Sequence, residues 1–504
     1  MKVSVVVPVY NTGQAVEGLI DSLRAQTLST DEWEAVFVDD GSSDDTADVV
    51  EGLIADDANM RLLREAPSGW PGRPRNVGMD AASGEYVFFS DDDDTLGPEA
   101  LERLTSFAIE HGSDVVVPRT VGKNRGVPSI THTVVDAQAD PGLIMSSLAP
   151  QKLFRRAFLQ EHGIRFVEGH FRLEDHLFVT TAYLRAERVS VYADYPCYYL
   201  TFQPGRPHIS QQQPDWHGYF GSVRACLDRV DEEARDPHLR RLMRGRWLRA
   251  EALSRLRGDG YKKLGTPELV HEVRQLLLDR YDDADLADLK PVDRMLACLL
   301  LDGRDEDVAA LAAWESSVLV TSEATAASID ADGTIRIDLR SALTIDGELP
   351  EAAAGSRPYP TAEELLEQVS AYAHVGVELQ HGGSRVRRPM HVTHEDGGVA
   401  HAVLKPGDER LANGKWTLIA LAGEHRTRRR RPADAAPDLH VEPGARRIEE
   451  TTFGFLDTGR LVLRVAKYKA PVPVPVPLRT RLKRRVRRLL PADFHVPHLL
   501  RSAS

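Results

Sequence analysis

Polar residues follow the hydrophobic runs of the first hundred residues at the points where those runs end. Asp39 and Asp40 close one run, and Asp91 to Asp94 directly follow the run Tyr86 to Ser90. Four adjacent carboxylates repel one another, so they must be solvated or balanced by cations. In an extended segment, Asp91 and Asp93 point to the same side and can share one divalent metal. The run therefore predicts either a Mn²⁺ or Mg²⁺ site that binds a diphosphate, or a solvated acidic loop.

The absence of two motifs after the first strand argues against two classes of nucleotide-binding protein. No Gly-x-Gly-x-x-Gly sequence follows that strand, and no Gly-Lys-Ser/Thr loop lies near it. This argues against a dinucleotide-dependent dehydrogenase and a P-loop enzyme. A nucleotide site without a glycine loop, and with acids at its phosphate end, needs a metal to neutralise the diphosphate.

The elements that must position these acids alternate between strands and helices. Short apolar runs at 3–7, 35–38, 61–64, 86–90 and 114–118 read as strands, with helical patterns between them. Such alternation predicts an α/β fold with a mostly parallel sheet and helices on both faces. Sheets of this kind bind ligands at the carboxyl ends of their strands, where the acids lie.

Composition describes a globular protein of several domains. The chain has 504 residues, of which 42% are hydrophobic and 28% charged. No apolar run approaches the roughly 18–20 residues of a membrane-spanning helix. Three cysteines without metal-type spacing indicate a reducing compartment, so we expect a cytoplasmic location.

Five ordered motifs in the first 178 residues resemble those of family 2 glycosyltransferases. They are Val-Val-Pro-Val-Tyr-Asn at 6–11, Val-Asp-Asp-Gly-Ser-Ser-Asp-Asp at 38–45, Pro-Arg-Asn-Val-Gly at 74–78, Gly-Glu-Tyr-Val-Phe-Phe-Ser-Asp-Asp-Asp-Asp at 84–94 and Leu-Glu-Asp-His-Leu-Phe at 173–178. The resemblance implies a GT-A fold, a UDP-sugar donor and an inverting transfer.

The same resemblance implies roles for individual residues in binding the donor. Those expected to bind the nucleotide sugar are Pro8, Tyr10, Asp40, Arg75, Asp91 and Asp92. Those expected to hold Mn²⁺ or Mg²⁺ are Asp91, Asp93 and His208, although a lone histidine is often structural. Asp92 departs from the family, which usually has a small residue between the two metal-binding acids. Asp39 and Asp44 either fix the loop, with Asp44 as the N-cap of the following helix, or contact the substrate.

Glu174 and Asp175 match the family's acid pair, in which the second acid resembles the general base. A base must lie within reach of the acceptor hydroxyl, on the side of the sugar opposite the departing diphosphate. Asp175 also fits a simple helix N-cap, and the two roles are compatible. Glu174 either orients Asp175 or binds the acceptor.

The rest of the chain divides by texture into further units. We predict a catalytic domain at 1–215, a helical extension at 216–317, β-rich modules that resemble a β-sandwich and include an Ig-like candidate at 318–469, a proline-rich linker at 470–477 and a basic amphipathic tail at 478–504. The tail carries eight basic residues and one acid, while the whole chain has a net charge of −13. A cationic amphipathic tail favours an anionic membrane surface over nucleic acid or simple disorder.

The whole arrangement resembles the wall teichoic acid glycosyltransferases that attach N-acetylglucosamine to poly(ribitol phosphate). That resemblance implies a polymeric or lipid-linked acceptor and homo-oligomer assembly through the β-rich modules. The basic run at 426–431 would suit a polyanionic acceptor, or is a solvated loop. A capsule or glycolipid glycosyltransferase, and a degenerate transferase that serves as a carbohydrate-binding scaffold, are the alternative functions.

Overall fold

The computed structural model describes most of the chain up to residue 466. The described residues are 1–123, 127, 130–201, 214–330, 334–346, 348–351, 357–370, 375–381, 387–395, 399–405, 414–422, 429–432, 434–441, 450–455 and 461–466. His208, the proline-rich linker, the basic tail and Arg426 and Arg428 of the basic run lie outside them. No helix within the described part is long and apolar enough to cross a membrane.

The first two hundred residues form an α/β layered unit. Its strands are β1 (Val3–Val9), β2 (Trp33–Asp39), β3 (Met60–Arg64), β4 (Tyr86–Phe89), β5 (Thr95–Leu96), β6 (Val115–Lys123), β7 (Leu153–Arg155) and β8 (Val189–Thr201). Its helices are α1 (Glu17–Arg24), α2 (Thr46–Ile54), α3 (Gly72–Ala81), α4 (Ala100–His111), α5 (Pro141–Met145), α6 (Arg156–Glu161) and α7 (Glu174–Arg185).

The eight strands form one sheet in the order β3-β2-β1-β4-β7-β6-β8-β5. The pairs β1–β2, β1–β4, β2–β3 and β6–β8 are parallel, as predicted. Strand β7, which the apolar runs do not predict, inserts antiparallel between β4 and β6. The sheet is therefore mixed, with a parallel half that carries the first three polar loops.

Alternating side chains of the central strands feed two separate cores. Val5, Val7 and Phe88 belong to one hydrophobic cluster, while Val6 and Phe89 belong to the other. Because successive strand residues face opposite sides of a sheet, helices cover both faces. Glycine is required at position 78, where a Cβ would lie 2.4 Å from Val6 Cγ1. Close packing of α3 on β1 brings the residues of α3 to the carboxyl edge of the sheet.

A helical region follows and packs on α7. Its helices are α8 (Trp216–Glu233), α9 (Pro237–Trp247), α10 (Gly258–Leu264), α11 (Pro267–Arg280), α12 (Asp283–Ala287), α13 (Pro291–Leu301) and α14 (Asp305–Ser317). Arg185 at the end of α7 pairs with Glu233 at the end of α8 at 2.6 Å. The helical region is thereby held against the helix that carries the predicted catalytic pair.

The later part of the chain is β-rich. It contains β9 (Leu319–Ile329), β10 (Ile335–Thr344), α15 (Ala362–Ser370), β11 (Gly376–His381), β12 (Arg387–Pro389), β13 (His391–Glu395), β14 (Val399–Leu404), β15 (Gly414–Ala422), β16 (Arg429–Pro432), β17 (Asp434–Val441), β18 (Glu450–Phe455) and β19 (Leu461–Ala466). One sheet has the order β13-β14-β10-β9-β17; the other has the order β12-β11-β15-β19-β18, with β16 paired to β15.

Candidate active site

Arg75 stands at the centre of the candidate site. It lies in α3 and is only 6% exposed, yet its guanidinium contacts acids from two distant segments. One nitrogen donates to Glu174 Oε1 at 2.9 Å and another to Asp91 Oδ1 at 3.1 Å. Burial favours neutral arginine, but the carboxylates of Asp91, Glu174 and Asp175 outweigh it and raise the pKa of Arg75. The motif Pro-Arg-Asn thus supplies the cation that joins the two acidic motifs.

Hydrogen bonds to both of its oxygens hold the carboxylate of Glu174 in place. Its second oxygen, Oε2, accepts a hydrogen bond from Trp70 Nε1 at 2.9 Å, while Oε1 accepts from Arg75. Both donors are buried side chains, so the carboxylate has little freedom to turn. Burial and the adjacent charge of Asp175 raise the pKa of Glu174. This geometry is that of an orienting group.

Asp175 has a different environment from its neighbour. Among the contacts of the described residues, its carboxylate accepts only from backbone N–H groups, that of His176 at 2.8 Å. Burial raises the pKa of Asp175, although the charge of Arg75 opposes this effect. Helix α7 begins one residue earlier with Leu173 as its N-cap, so the predicted N-cap role of Asp175 is wrong. A carboxylate with few donors and a raised pKa is suited to accept a proton.

The acidic run after β4 is a turn and not the extended segment that the sequence predicted. The N–H of Asp94 approaches the carbonyl oxygen of Asp91 at 3.5 Å. Asp92 and Asp94 are buried, whereas Asp91 and Asp93 are partly exposed. The exposed pair is the one predicted to hold a metal. Side chains from distant segments bind the acidic run, so it does not form the solvated acidic loop that was the alternative prediction.

The contacts of the acidic run come from distant parts of the chain. Asp91 Oδ2 accepts from Gln151 Nε2 at 2.6 Å, and Asp92 accepts from the hydroxyl of Thr12. Asp94 accepts from the Tyr198 hydroxyl at 2.8 Å and from the Thr201 N–H at 2.6 Å. Burial and the charges of Asp91 and Asp93 raise the pKa of Asp94. The run is thus tied to β1, β7 and β8 together.

The predicted nucleotide residues lie at the adjoining ends of β1 and β2. Pro8 lies within β1, and Tyr10 just beyond it is 51% exposed. Asp40 is buried and accepts from the Ser68 N–H at 2.9 Å and the Gly69 N–H at 3.2 Å. Asp40 therefore holds the loop that leads to Trp70.

Two other acids of this region shape loops. Asp39 Oδ1 accepts from the Ser42 hydroxyl at 2.5 Å. Asp44 accepts from the Thr46 N–H at 3.0 Å, but α2 begins at Thr46 and its N-cap position is Asp45. The N-cap prediction for Asp44 is thus displaced by one residue.

Sequence reasoning missed several residues of the site. Gln151 and Lys152 precede a three-residue strand and carry no local signal of their contacts. Tyr198 was predictable only as part of a strand, yet its hydroxyl also accepts the Asp91 N–H at 3.0 Å. Within the described residues, no group of three or more His, Cys, Asp or Glu side chains is arranged to hold a metal ion.

Two family models and several known proteins match the part of the chain that contains the candidate site. The model described as glycosyl transferase family 2 matches residues 4–176, and the one described as glycosyl transferase TarS linker domain matches residues 216–312. The chain is 36% identical over 243 residues to poly(ribitol-phosphate) beta-glucosyltransferase of Bacillus spizizenii, covering 47% of this chain and 38% of that relative. It is 30% identical over 234 residues to poly(ribitol-phosphate) beta-N-acetylglucosaminyltransferase TarP of Staphylococcus aureus, covering 44% of this chain and 70% of that relative.

A solved structure matches in the same region. Residues 1–349 of Staphylococcus aureus TarS in complex with UDP-GlcNAc align with a TM-score of 0.55 and 28% identity, covering 62% of this chain and 90% of that one. The predicted GT-A α/β fold is confirmed, with the β-rich sheets following it. The chain spans about two fifths of the length of the Bacillus relative. On these matches and on the motifs that build the site, the chain belongs to glycosyl transferase family 2.

Proposed function

We propose that this protein is an inverting glycosyltransferase that moves a sugar from a UDP-sugar to a hydroxyl of a polyol-phosphate polymer, with Asp175 as general base. The observation that carries the proposal is the contrast within the acid pair. Both oxygens of Glu174 are engaged by side-chain donors, whereas the described contacts give Asp175 only backbone donors. Glu174 orients the pair through Trp70 and Arg75, and Asp175 takes the proton.

The transfer is a single displacement. The acceptor oxygen forms a bond to the anomeric carbon of the sugar while the bond from that carbon to the diphosphate oxygen breaks. The acceptor's proton moves to the carboxylate of Asp175, and the electron pair of the broken bond leaves with UDP. Attack from the face opposite the leaving group inverts the anomeric centre.

The exposed acids of the turn after β4 fit a divalent metal. Asp91 and Asp93 offer carboxylate oxygens, which are the donors that Mn²⁺ and Mg²⁺ prefer. The remaining ligands would come from the diphosphate, from water and from His208, the third predicted ligand, which lies outside the described residues. When bound, the ion neutralises charge on the departing diphosphate. Arg75, which already contacts Asp91, adds a fixed positive charge beside it.

The nucleotide is placed at the ends of β1 and β2. Pro8 shapes the end of β1, and the exposed ring of Tyr10 offers a face for the base. The buried carboxylate of Asp40 accepts from backbone N–H groups of the 68–69 loop and keeps lone pairs for a base or ribose donor. Asp92, bound to Thr12, fixes the first loop to the acidic turn.

Cationic side chains beside the acid pair favour an acceptor that carries phosphate. The guanidinium carbon of Arg172 lies 5.9 Å from the ring centre of Trp70, whose indole binds Glu174. Burial and the nearby charge of Arg255 lower the pKa of Arg172. An anionic acceptor beside Arg172 would stabilise its charged form. The names of the Bacillus and TarP relatives specify poly(ribitol-phosphate), which has this chemistry.

The test is a panel of donors and acceptors, in which the reaction is monitored by the release of UDP and by the transfer of labelled sugar. We expect transfer to poly(ribitol phosphate) from UDP-N-acetylglucosamine. Faster transfer from UDP-glucose would correct the donor, since relatives of both kinds match the chain. Transfer only to a glycolipid or capsule acceptor would overturn the polymer assignment. Absence of transfer from every donor, with UDP still bound, would favour the scaffold.

The basic tail at 478–504, outside the described residues, is proposed to hold the enzyme at an anionic membrane surface. Each basic residue near such a surface contributes about 1 kcal/mol at low ionic strength. Co-sedimentation with vesicles containing anionic lipid, but not with neutral vesicles, is expected. Binding that persists after removal of 478–504 would contradict the assignment.

Assembly into homo-oligomers through the β-rich sheets stays a proposal, to be checked by light scattering.

A further inference from the structure

Lys152 is a buried cation whose charge interacts with that of Asp175. It precedes β7, and only 1% of its surface is exposed. Its ammonium donates to the Ser147 hydroxyl at 3.2 Å and to the Ala149 carbonyl oxygen. Among the described residues, no carboxylate oxygen forms an ion pair with it. A buried charge without a direct partner is costly, so its position calls for an explanation.

The segment that Lys152 holds connects the two halves of the site. Gln151, the preceding residue, donates to Asp91 Oδ2 at 2.6 Å. The hydroxyl of Tyr183, in the same helix as the acid pair, donates to the carbonyl oxygen of Ser147 at 3.1 Å. The ammonium bonds to two residues of this segment and closes it into a compact loop. The loop therefore fixes Asp91 relative to α7.

The acids around Asp175 carry more negative charge than Arg75 alone can balance, so a second cation would stabilise the carboxylate. The titratable groups that interact electrostatically with Asp175 are Arg75 from α3, Asp91 after β4, Lys152 before β7, Glu174 in α7 and Cys226 in α8. The backbone N–H of His176 donates to it. Of the two cations, Arg75 is bonded to Asp91 and Glu174 and is shared among three acids. His176 is buried, and its pKa falls to about 4, so it is neutral near pH 7.

We propose that Lys152 is a positioning residue for the acid pair: its buried ammonium closes the Ser147–Gln151 loop and supplies the positive field that keeps Asp175 ionised. The inference rests on the proposed role of Asp175 as the base. Burial lowers the pKa of Lys152 to about 7, and the charge of Asp175 opposes that shift. Each charged group stabilises the other, so loss of the ammonium makes the carboxylate easier to protonate.

The test is the pH dependence of kcat in Lys152→Met, which keeps the length of the side chain and removes its charge. We expect the acid limb of the profile to move to higher pH by about one unit, as for loss of one nearby opposite charge. At a pH below the midpoint, this shift lowers kcat by up to about tenfold, and activity recovers as the pH rises. Any rise in the KM for the UDP-sugar, caused by loss of the loop's hydrogen bonds to the ammonium, should not depend on pH.

A matched variant separates charge from loop shape. Tyr183→Phe removes the hydrogen bond to Ser147 but leaves the ammonium, so the midpoint of the acid limb stays at its wild-type value even if kcat falls. If Lys152→Met does not melt cooperatively, Lys152→Gln replaces it, because its amide still donates to the Ala149 carbonyl.

The outcomes distinguish the two proposals. An unshifted acid limb in the charge-removing variant, with the wild type active, would overturn the positioning role and leave the proposed function intact. A shift of the same size in Tyr183→Phe would also overturn it, because loop shape would then explain the effect. A wild type that transfers no sugar at any pH would overturn the proposed function, and the role of Lys152 with it.

Discussion

Buried carboxylates lie at both ends of the same sheet, and their surroundings differ. Glu34, near the start of β2, accepts from Ser4 Oγ at 2.6 Å, from both the N–H and hydroxyl of Ser83 at 2.7 Å, and from Arg61. Burial alone would raise its pKa, but these hydrogen bonds lower the pKa of Glu34 to about 2. At the opposite end, burial raises the pKa values of Glu174 and Asp175.

Donors and neighbouring charge together explain the difference. Glu174 has two side-chain donors, but burial and the adjacent charge of Asp175 outweigh them. Hydrogen bonds to the charged form stabilise an ionised carboxylate, and burial without them favours the neutral acid. Glu34 has several donors and holds β1, β2 and the start of β4 in place. Asp175 has no side-chain donor among the described residues, so it stays ready to exchange a proton. Glu34, with its four donors, serves stability, and Asp175 is proposed to serve chemistry.

The sharpest way to break this comparison is Asp175→Asn. Removing a general base lowers kcat by about 10²–10⁴-fold. The melting temperature should not fall, because burial already disfavours the charge that is removed. Asp80→Asn makes the same chemical change at an exposed ion pair with Arg165 and should leave kcat within about twofold. Activity of Asp175→Asn within tenfold of the wild type would contradict the base assignment.

Asp93→Ala tests the metal-binding end of the site. Loss of one metal-binding carboxylate should lower kcat/KM by about 10²-fold, since a bound ion supplies several kcal/mol of charge stabilisation. Calorimetry should show that the heat of UDP binding no longer depends on Mn²⁺. Asp48→Asn, at an exposed acid paired with Arg64, is the control. Full activity of the wild type after chelation would contradict the proposed metal.

Glu34→Gln tests the structural end of the sheet. The amide cannot accept from all four donors, and buried donors left without partners cost about 1–3 kcal/mol each. The free energy of unfolding should fall by about 2 kcal/mol or more, while kcat of the folded protein stays within about twofold. Glu51→Gln, an exposed acid paired with Arg64, should change stability by less than about 0.5 kcal/mol. If Glu34→Gln lost activity while its stability stayed unchanged, the structural role assigned to Glu34 would be contradicted.

The local parts of this architecture were predictable from sequence. Uninterrupted apolar runs located β1, β2 and β4, because strands buried on both faces have no polar side. The acid pair followed from its motif, and helical spacing placed it near the start of α7. Strand β7 was not predictable, since three residues carry no period.

The contacts of the site were harder to predict because they join distant residues. The turn at Asp91–Asp94 depends on Thr12, Gln151 and Tyr198, between 60 and 107 residues away for the bonded pairs. No local pattern in the sequence records such pairings, so an extended segment was the natural expectation. Trp70 was noticeable as a tryptophan among glycines and prolines, but its bond to Glu174 required the fold.

Acid titration compares the two ends in one protein. As the pH falls through the raised pKa of Asp175, the base is lost, so kcat should drop by about tenfold per pH unit. Protonating an acid whose pKa is raised in the folded state does not destabilise the fold. Because the pKa of Glu34 is lowered in the fold, its carboxylate stabilises the protein at pH values above 4.5, the ordinary pKa of a glutamate. This stabilisation is lost as the pH falls from 4.5 towards about 2.

The most direct test is therefore to measure kcat and the melting temperature of the wild type over the same series of pH values. We predict that kcat falls by about tenfold per pH unit below the raised pKa of Asp175. The melting temperature should fall only gradually, between about pH 6.5 and 4 because His176 stays neutral in the fold but gains a proton on unfolding, and below pH 4.5 because Glu34 is protonated. A kcat that is unchanged down to pH 4.5, or that falls only at pH values where the protein unfolds at the assay temperature, would contradict the assignment of Asp175 as the base.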